Sequence, residues 1–180
     1  MPSLSKNGLI KGEPSAATLW QWDGPPVLTG CGARELLDLE LTAFFASRQC
    51  PGSAIRAAMD WALQQASAKR AVISGFHSPL EQSVLKVLMA AGSPAVAVLA
   101  RPVAGAKLPP EWAAPLAKGQ MAVVSSVGMA ARLTQRLATE RNELVAEFAQ
   151  SIVVAHVSPG GSLAAQVGRW RQEGRQVEAF

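Results

Sequence analysis

The 180-residue chain contains no tyrosine, only two histidines and only two cysteines. Cys31 and Cys50 form no Cys-x-x-Cys pair and sit in no Cys/His cluster, so the ligand spacing of a structural metal site is missing. We therefore expect neither a metal nor a cofactor. No stretch reaches the roughly 18 uninterrupted apolar residues that a membrane helix needs. Residues 1–22 place no apolar segment behind a basic start, so they do not read as a signal peptide. These gaps together point to a cytoplasmic location with reduced thiols. Charge is sparse as well. Charged residues make up 17% of the chain against 49% hydrophobic ones, the balance of a compact globular protein with one proper core. The net charge of +4 leans mildly toward anionic partners such as nucleotides or nucleic acid.

Glycine and proline, by contrast, are concentrated where they punctuate the chain. Residues 1–30 carry Gly8, Gly12, Pro14, Gly24, Pro25, Pro26 and Gly30, and read as an N-terminal arm anchored by Trp20 and Trp22. A rhythm of short apolar runs and helical patterns fills residues 31–180. Strands are expected at Leu39–Ala46, Ala71–Ser74, Ala95–Ala100, Met121–Ser125, Ile152–His156 and Gln176–Phe180. Helices are expected at Ser53–Ala68, with Ser53 as N-cap, and at Leu80–Ala91, with Gly92 just past its end. Others are expected at Glu111–Ala117, Leu133–Ala149 and Ser162–Glu173. Alternating strands and helices predict an α/β protein: a three-layer Rossmann-like fold, its mainly parallel central sheet flanked by helices. The strands are apolar without strict alternation, as a sheet covered on both faces requires.

Such folds bind ligands outside the carboxyl ends of their strands. That rule selects Ser47-Arg48, Ser74 to Glu81, Arg101, Ser125-Ser126 and His156 to Ser162 as one edge. Arg48 is suited to pairing with a phosphate through both arms of its guanidinium. Cys50 reads either as an activated thiol near a helix start or as an inert one. Gly75 lets the backbone approach a ligand or lets the chain turn. Phe76 either stacks on a base or packs in the core. His77 and Glu81 have the spacing of an acid/base pair and are the weak catalytic candidates. Ser78 and Glu81, with Pro79 between them, equally fit a capping box. Arg141-Asn142 stands out in an Ala/Leu-rich helix. Pro159-Gly160-Gly161-Ser162, between a strand and a helix, aims backbone N–H groups and a helix dipole at one point, a cradle for an anion.

Three stretches in this order carry a resemblance: SRQCPG after a strand, VISGFHSPLE, and ATERNELVAEFAQSIVVAHVSPGGSLAAQVGRWRQEGRQV. Over roughly residues 37–180 they are similar to the Rossmann-like domain of the DNA-processing protein A (DprA/Smf) family, within the SMF/DprA–Lonely Guy superfamily. On that resemblance Ser74-Gly75 matches the family's serine-glycine loop, Arg141-Asn142 its late Arg-Asn pair, and Gly161-Ser162-Leu163 its Gly-Ser-Leu turn. It implies binding of nucleotide or single-stranded nucleic acid through phosphate contacts. The residues implied are Ser47, Arg48, Gly75, Phe76, His77, Ser78, Arg141, Asn142, Pro159, Gly160, Gly161 and Ser162. The alternative is a Lonely Guy-like nucleoside 5′-monophosphate phosphoribohydrolase. That branch carries PGGxGTxxE; here Leu163 and Ala164 replace the Gly-Thr and Val167 stands where the glutamate belongs, which favours a binder over an enzyme. Self-association through the tryptophan-bearing arm is the remaining expectation.

Overall fold

A computed structural model describes residues 19–128, 132 and 134–180. The expectations for Met1 to Thr18, and for a helix start at Leu133, lie outside the described residues. The strands are β1 (Trp20–Trp22), β2 (Leu28–Gly32), β3 (Leu41–Ala46), β4 (Ala71–Ser74), β5 (Ala95–Val98), β6 (Met121–Ser125), β7 (Ser151–His156) and β8 (Val177–Ala179). The helices are α1 (Gly52–Ser67), α2 (Pro79–Ala90), α3 (Ala113–Ala117), α4 (Gln135–Phe148) and α5 (Ser162–Gln172), with two short 3₁₀ turns at Arg34–Asp38 and Pro110–Trp112.

All eight strands join one sheet in the order β1-β2-β6-β5-β4-β3-β7-β8. From β6 to β8 every neighbouring pair is parallel, and β1 and β2 run antiparallel at one end. The α/β fold with a mainly parallel sheet is thus as the sequence predicts. Successive side chains of a strand point to opposite faces, and both faces are covered. Phe44, Val72, Ala97 and Val123 pack under α1 and α2. Phe45, Ile73, Val96, Val124 and Val154 pack under α4 and α5, together with Leu36 and Leu37. Phe44 stacks on Trp61 of α1, and Phe45 leans on Trp170 of α5.

Several boundaries differ from expectation. Within the stretch read as an arm, residues 20–22 and 28–32 are strands. Trp20 donates its indole N–H to the Gly32 carbonyl (2.9 Å) and lies so close over Gly30 that a Cβ there would sit 2.4 Å from the ring. Trp22 meets Phe148 edge-on and carries the Arg34 guanidinium on its face. Helix α1 starts at Gly52, not Ser53: extended Pro51 holds the cap position, and its carbonyl accepts the Ile55 N–H. Ile55 and Leu63 of this helix, although apolar, are exposed. Trp61, Gln65 and Ala54 are buried in their place.

The chain moves from β3 through β4 and β5 to β6 on one side, then returns through α4 to β7 on the other side of β3. Strand order therefore reverses between β3 and β7. The crevice outside the carboxyl ends of such a pair is where open α/β sheets bind ligands.

Candidate anion-binding site

A cleft of about 390 Å³ opens at that reversal point. Ser47 and Arg48 after β3, His77, Ser78 and Glu81 from the β4–α2 loop and first turn, Gln135, Arg141 and Asn142 from α4, and Ser158, Gly161, Ser162 and Leu163 after β7 line it. Among the described residues, none that follows β5 or β6 lines it. Arg101 instead donates to the Lys107 carbonyl (3.1 Å), and Ser125 is buried with its hydroxyl on the Leu99 carbonyl (3.2 Å). Pro159 and Gly160 belong to the turn but not to the lining; Gly160 has φ +74°, and the Gly161 N–H closes the turn onto the Ser158 carbonyl (3.2 Å).

The β4–α2 loop is built around Glu81, which is only 2% exposed. Ser78 caps α2 and Pro79 occupies the first turn, so the capping box is present. It does more than cap. Glu81 Oε1 accepts the Ala46 N–H at the end of β3 (3.2 Å). Its Oε2 accepts the N–H groups of His77 (3.0 Å) and Ser78 (3.2 Å) and lies 3.1 Å from His77 Nδ1. Burial alone would raise the carboxyl pKa. The hydrogen bond from the His77 side chain, with those from the Ser78 and Ala46 N–H groups, outweighs burial and holds it below the ordinary glutamate value. A buried carboxylate kept ionised, with both oxygens occupied, is neither a proton donor nor a free base. The acid/base reading of Glu81 gives way to a structural one, in which Glu81 orients His77.

Phe76 is not a stacking surface. It is buried in the core on the α1/α2 side and takes φ +46°, a left-handed conformation uncommon for an aromatic residue. That twist, steadied by the Phe76 N–H on Ser74 Oγ (3.2 Å), turns the next two N–H groups toward Glu81. Cys50 gives its thiol to the Ser47 carbonyl (3.2 Å). Burial, and then the Glu81 charge, push its pKa up, so it is not an activated thiol.

Arg141 is the principal cation of the cleft. It is only 7% exposed, yet among the described residues no carboxylate pairs with it. Its Nε donates to Asn142 Oδ1 (3.2 Å), and one Nη lies 3.4 Å from His77 Nε2. Arginine only donates, so His77 Nε2 must accept, and the His77 proton sits on Nδ1 facing Glu81. Burial lowers the Arg141 pKa and the Glu81 charge opposes this; the group is a partly desolvated cation lacking a direct counter-ion. Gly75 makes room for this side chain: a Cβ there would lie 2.9 Å from Arg141 Nε and 3.0 Å from Cδ and Cζ. Gly75→Ala is therefore expected to displace the guanidinium and weaken anion binding about tenfold. Its melting temperature should stay close to that of the parent, which calorimetry beside a binding titration would check.

Opposite Arg141, α5 begins at Gly161 with no side-chain cap and no acidic residue in its first turn. The N–H groups of a helix start lack intrahelical partners and carry the positive end of the dipole. Ser47 Oγ accepts the Ser158 N–H (2.9 Å), and Gln135 Nε2 donates to Ser162 Oγ (3.0 Å), which ties this turn to β3 and α4. A buried fork of N–H donors and an open helix start on one cleft make a receptor for a phosphate-like anion. Exposed Arg48 stands at its rim. Gln135 was not evident in the sequence, because it reaches the cleft only through the way α4 is laid against the turn after β7. Among the described residues no group of three or more His, Cys, Asp or Glu is placed to hold a metal ion. Among the described residues, too, no helix is long and apolar enough to cross a membrane.

Residues 14–180 match the family model described as DNA recombination-mediator protein A. The fold is similar to that of DNA processing protein A from Streptococcus pneumoniae (TM-score 0.71, 19% identity), covering 88% of this chain and 56% of that one. The chain thus spans little more than half the length of that relative. It is also similar to DNA processing protein A from Helicobacter pylori, whose structure was described for its single-stranded DNA binding mode (TM-score 0.72, 11% identity, 87% of this chain and 73% of that one). A more distant likeness is the molybdenum cofactor carrier protein of Chlamydomonas reinhardtii (TM-score 0.54, 14% identity, 78% and 76%). At these identities the solved structures speak to fold alone. No curated protein shows significant similarity to the chain.

Proposed function

From the premise that this chain belongs to the DNA recombination-mediator protein A family, we propose that it binds single-stranded nucleic acid, or a nucleotide, by holding phosphate in the β3/β7 cleft. The observation that carries the reading is Arg141: a buried guanidinium with no carboxylate partner among the described residues, sharing its cleft with the open start of α5. Two features support the nucleic-acid side of it. The Helicobacter pylori relative binds single-stranded DNA, and the net charge of +4 favours a polyanion. The hydrolase alternative has lost its remaining carboxylate, because Glu81 is committed to four donors.

Fluorescence anisotropy of a labelled oligothymidylate at low and high salt tests the proposal, with nucleoside monophosphates as competitors. Binding should be present at low salt and weaken as salt rises, since each neutralised phosphate releases counter-ions. Absence of binding by either class at low salt would sink it. We assign the protein to the cytoplasm, in keeping with the free thiols of Cys31 and Cys50. We assign self-association to β1, which carries Trp20 and Trp22 and is the edge strand of the sheet among the described residues. A monomeric mass by sedimentation at high concentration would remove that last assignment.

A further inference from the structure

We infer that Gln166 and Glu143 are positioning residues of the anion site, fixing from outside the cleft the direction in which Arg141 presents its guanidinium. The inference rests on the reading of the cleft as a phosphate receptor. Neither residue lines the cleft. They lie where α4 and α5 face each other, at helical spacing on both partners: Thr139, Asn142 and Glu143 on α4, Gln166, Arg169 and Trp170 on α5.

The hydrogen bonds between them have only one possible polarity. Glu143 can only accept. Its Oε1 takes Gln166 Nε2 (2.9 Å) and is paired with Arg169, and its Oε2 takes the Trp170 indole N–H (3.0 Å). Gln166 Nε2 also donates to the Thr139 carbonyl (3.1 Å), again an acceptor only. Both partners require the amide nitrogen of Gln166 on that side, so its Oε1 is left for Asn142, 3.0 Å from Asn142 Nδ2. Asn142 then has only Oδ1 to offer Arg141 Nε, the 3.2 Å bond described above. An amide in isolation can flip by half a turn; here the carboxylate at one end and the guanidinium at the other forbid it.

Gln166 is only 2% exposed, so water does not readily replace the missing partner if the relay is cut. Without it Asn142 is free to rotate. Arg141 would then keep His77 as its one side-chain partner and lose its fixed direction. Glu143 is less enclosed, its side chain about 39% exposed, and its removal is the gentler cut at the same relay.

The test compares Gln166→Met and Glu143→Ala with the parent chain in two readouts. The first is the NMR signal of the Arg141 Nε–H without any ligand. It should be sharp in the parent, and broadened or shifted in both variants. The second is affinity for labelled oligothymidylate at low salt, expected to fall about tenfold in Gln166→Met and by less in Glu143→Ala. Repeating Gln166→Met in an Arg141→Lys background separates positioning from general damage. Lysine has no Nε–H for Asn142 to hold, so the tenfold loss should disappear there. An unchanged Arg141 signal in both variants, or an equal loss of affinity in the two backgrounds, overturns the inference. If the variants alter the Arg141 signal while the parent binds neither oligonucleotide nor nucleoside monophosphate, the relay exists but its role in anion binding is overturned, along with the phosphate reading itself.

Discussion

Arg141→Met is expected to lower affinity for single-stranded oligonucleotide about a hundredfold at low salt, while thermal stability stays the same or rises. The two halves of this expectation share one cause. A charge-assisted hydrogen bond to a buried donor contributes roughly 3 kcal/mol, and that corresponds to about two decades in Kd. The guanidinium, however, is buried with no carboxylate partner among the described residues, and burial already disfavours its charge. Replacing an uncompensated buried charge with an apolar side chain of similar length removes a desolvation cost. What then opposes the gain is the loss of two modest contacts, to Asn142 Oδ1 and His77 Nε2. A structural arginine would behave in the opposite way, with a falling melting temperature and little change in binding. Isothermal titration and calorimetry on the same samples distinguish the two.

Glu81→Gln should damage the fold at neutral pH, costing roughly 3 kcal/mol or about 10 °C in melting temperature. The carboxylate gathers N–H groups from the end of β3 and from the β4–α2 loop. An amide presents one oxygen to this ring of donors and a nitrogen that opposes the rest. The pH dependence follows from the lowered pKa of the folded state. A group whose folded pKa lies below its unfolded value contributes its full stability above the ordinary glutamate value of 4.5 and loses it as pH falls through the folded pKa. The parent should therefore lose its advantage over Glu81→Gln on acidification below about pH 4, the two denaturation midpoints converging. A constant gap between the midpoints down to pH 3 or so would show that the carboxylate charge is not what matters.

How much of this was legible in the sequence depended on whether the signal was local. Apolar runs such as Ala71–Ser74 and Met121–Ser125 match their strands residue for residue, because a sheet covered on both faces leaves its pattern in the run itself. Ser78-Pro79-Leu80-Glu81 was readable as a capping box for the same reason. The strands β1 and β2 were not. Trp-Gln-Trp and Leu-Thr-Gly-Cys-Gly are short, and Gly30 belongs in a strand only because the Trp20 ring from the neighbouring strand occupies the space above it. Gly75 and Phe76 were singled out, but not for all that they do. Gly75 makes room for an arginine 66 residues later, and Phe76 bends the backbone while its ring fills the core. The Arg141-Asn142 pair was visible as an oddity in its helix. Its dependence on Gln166 and Glu143 was invisible, since a polar face at helical spacing reads as solvated until the second helix is laid against it.

The central claim is that phosphate is held between Arg141 and the start of α5, and a crystal structure with a short oligothymidylate tests it most directly. The account predicts a phosphate in the β3/β7 cleft, hydrogen-bonded to the Arg141 Nη groups and to the backbone N–H groups of Ser162 and Leu163. A strand seated on another face, such as the exposed side of α1 at Ile55 and Leu63, with the cleft unoccupied, would contradict it.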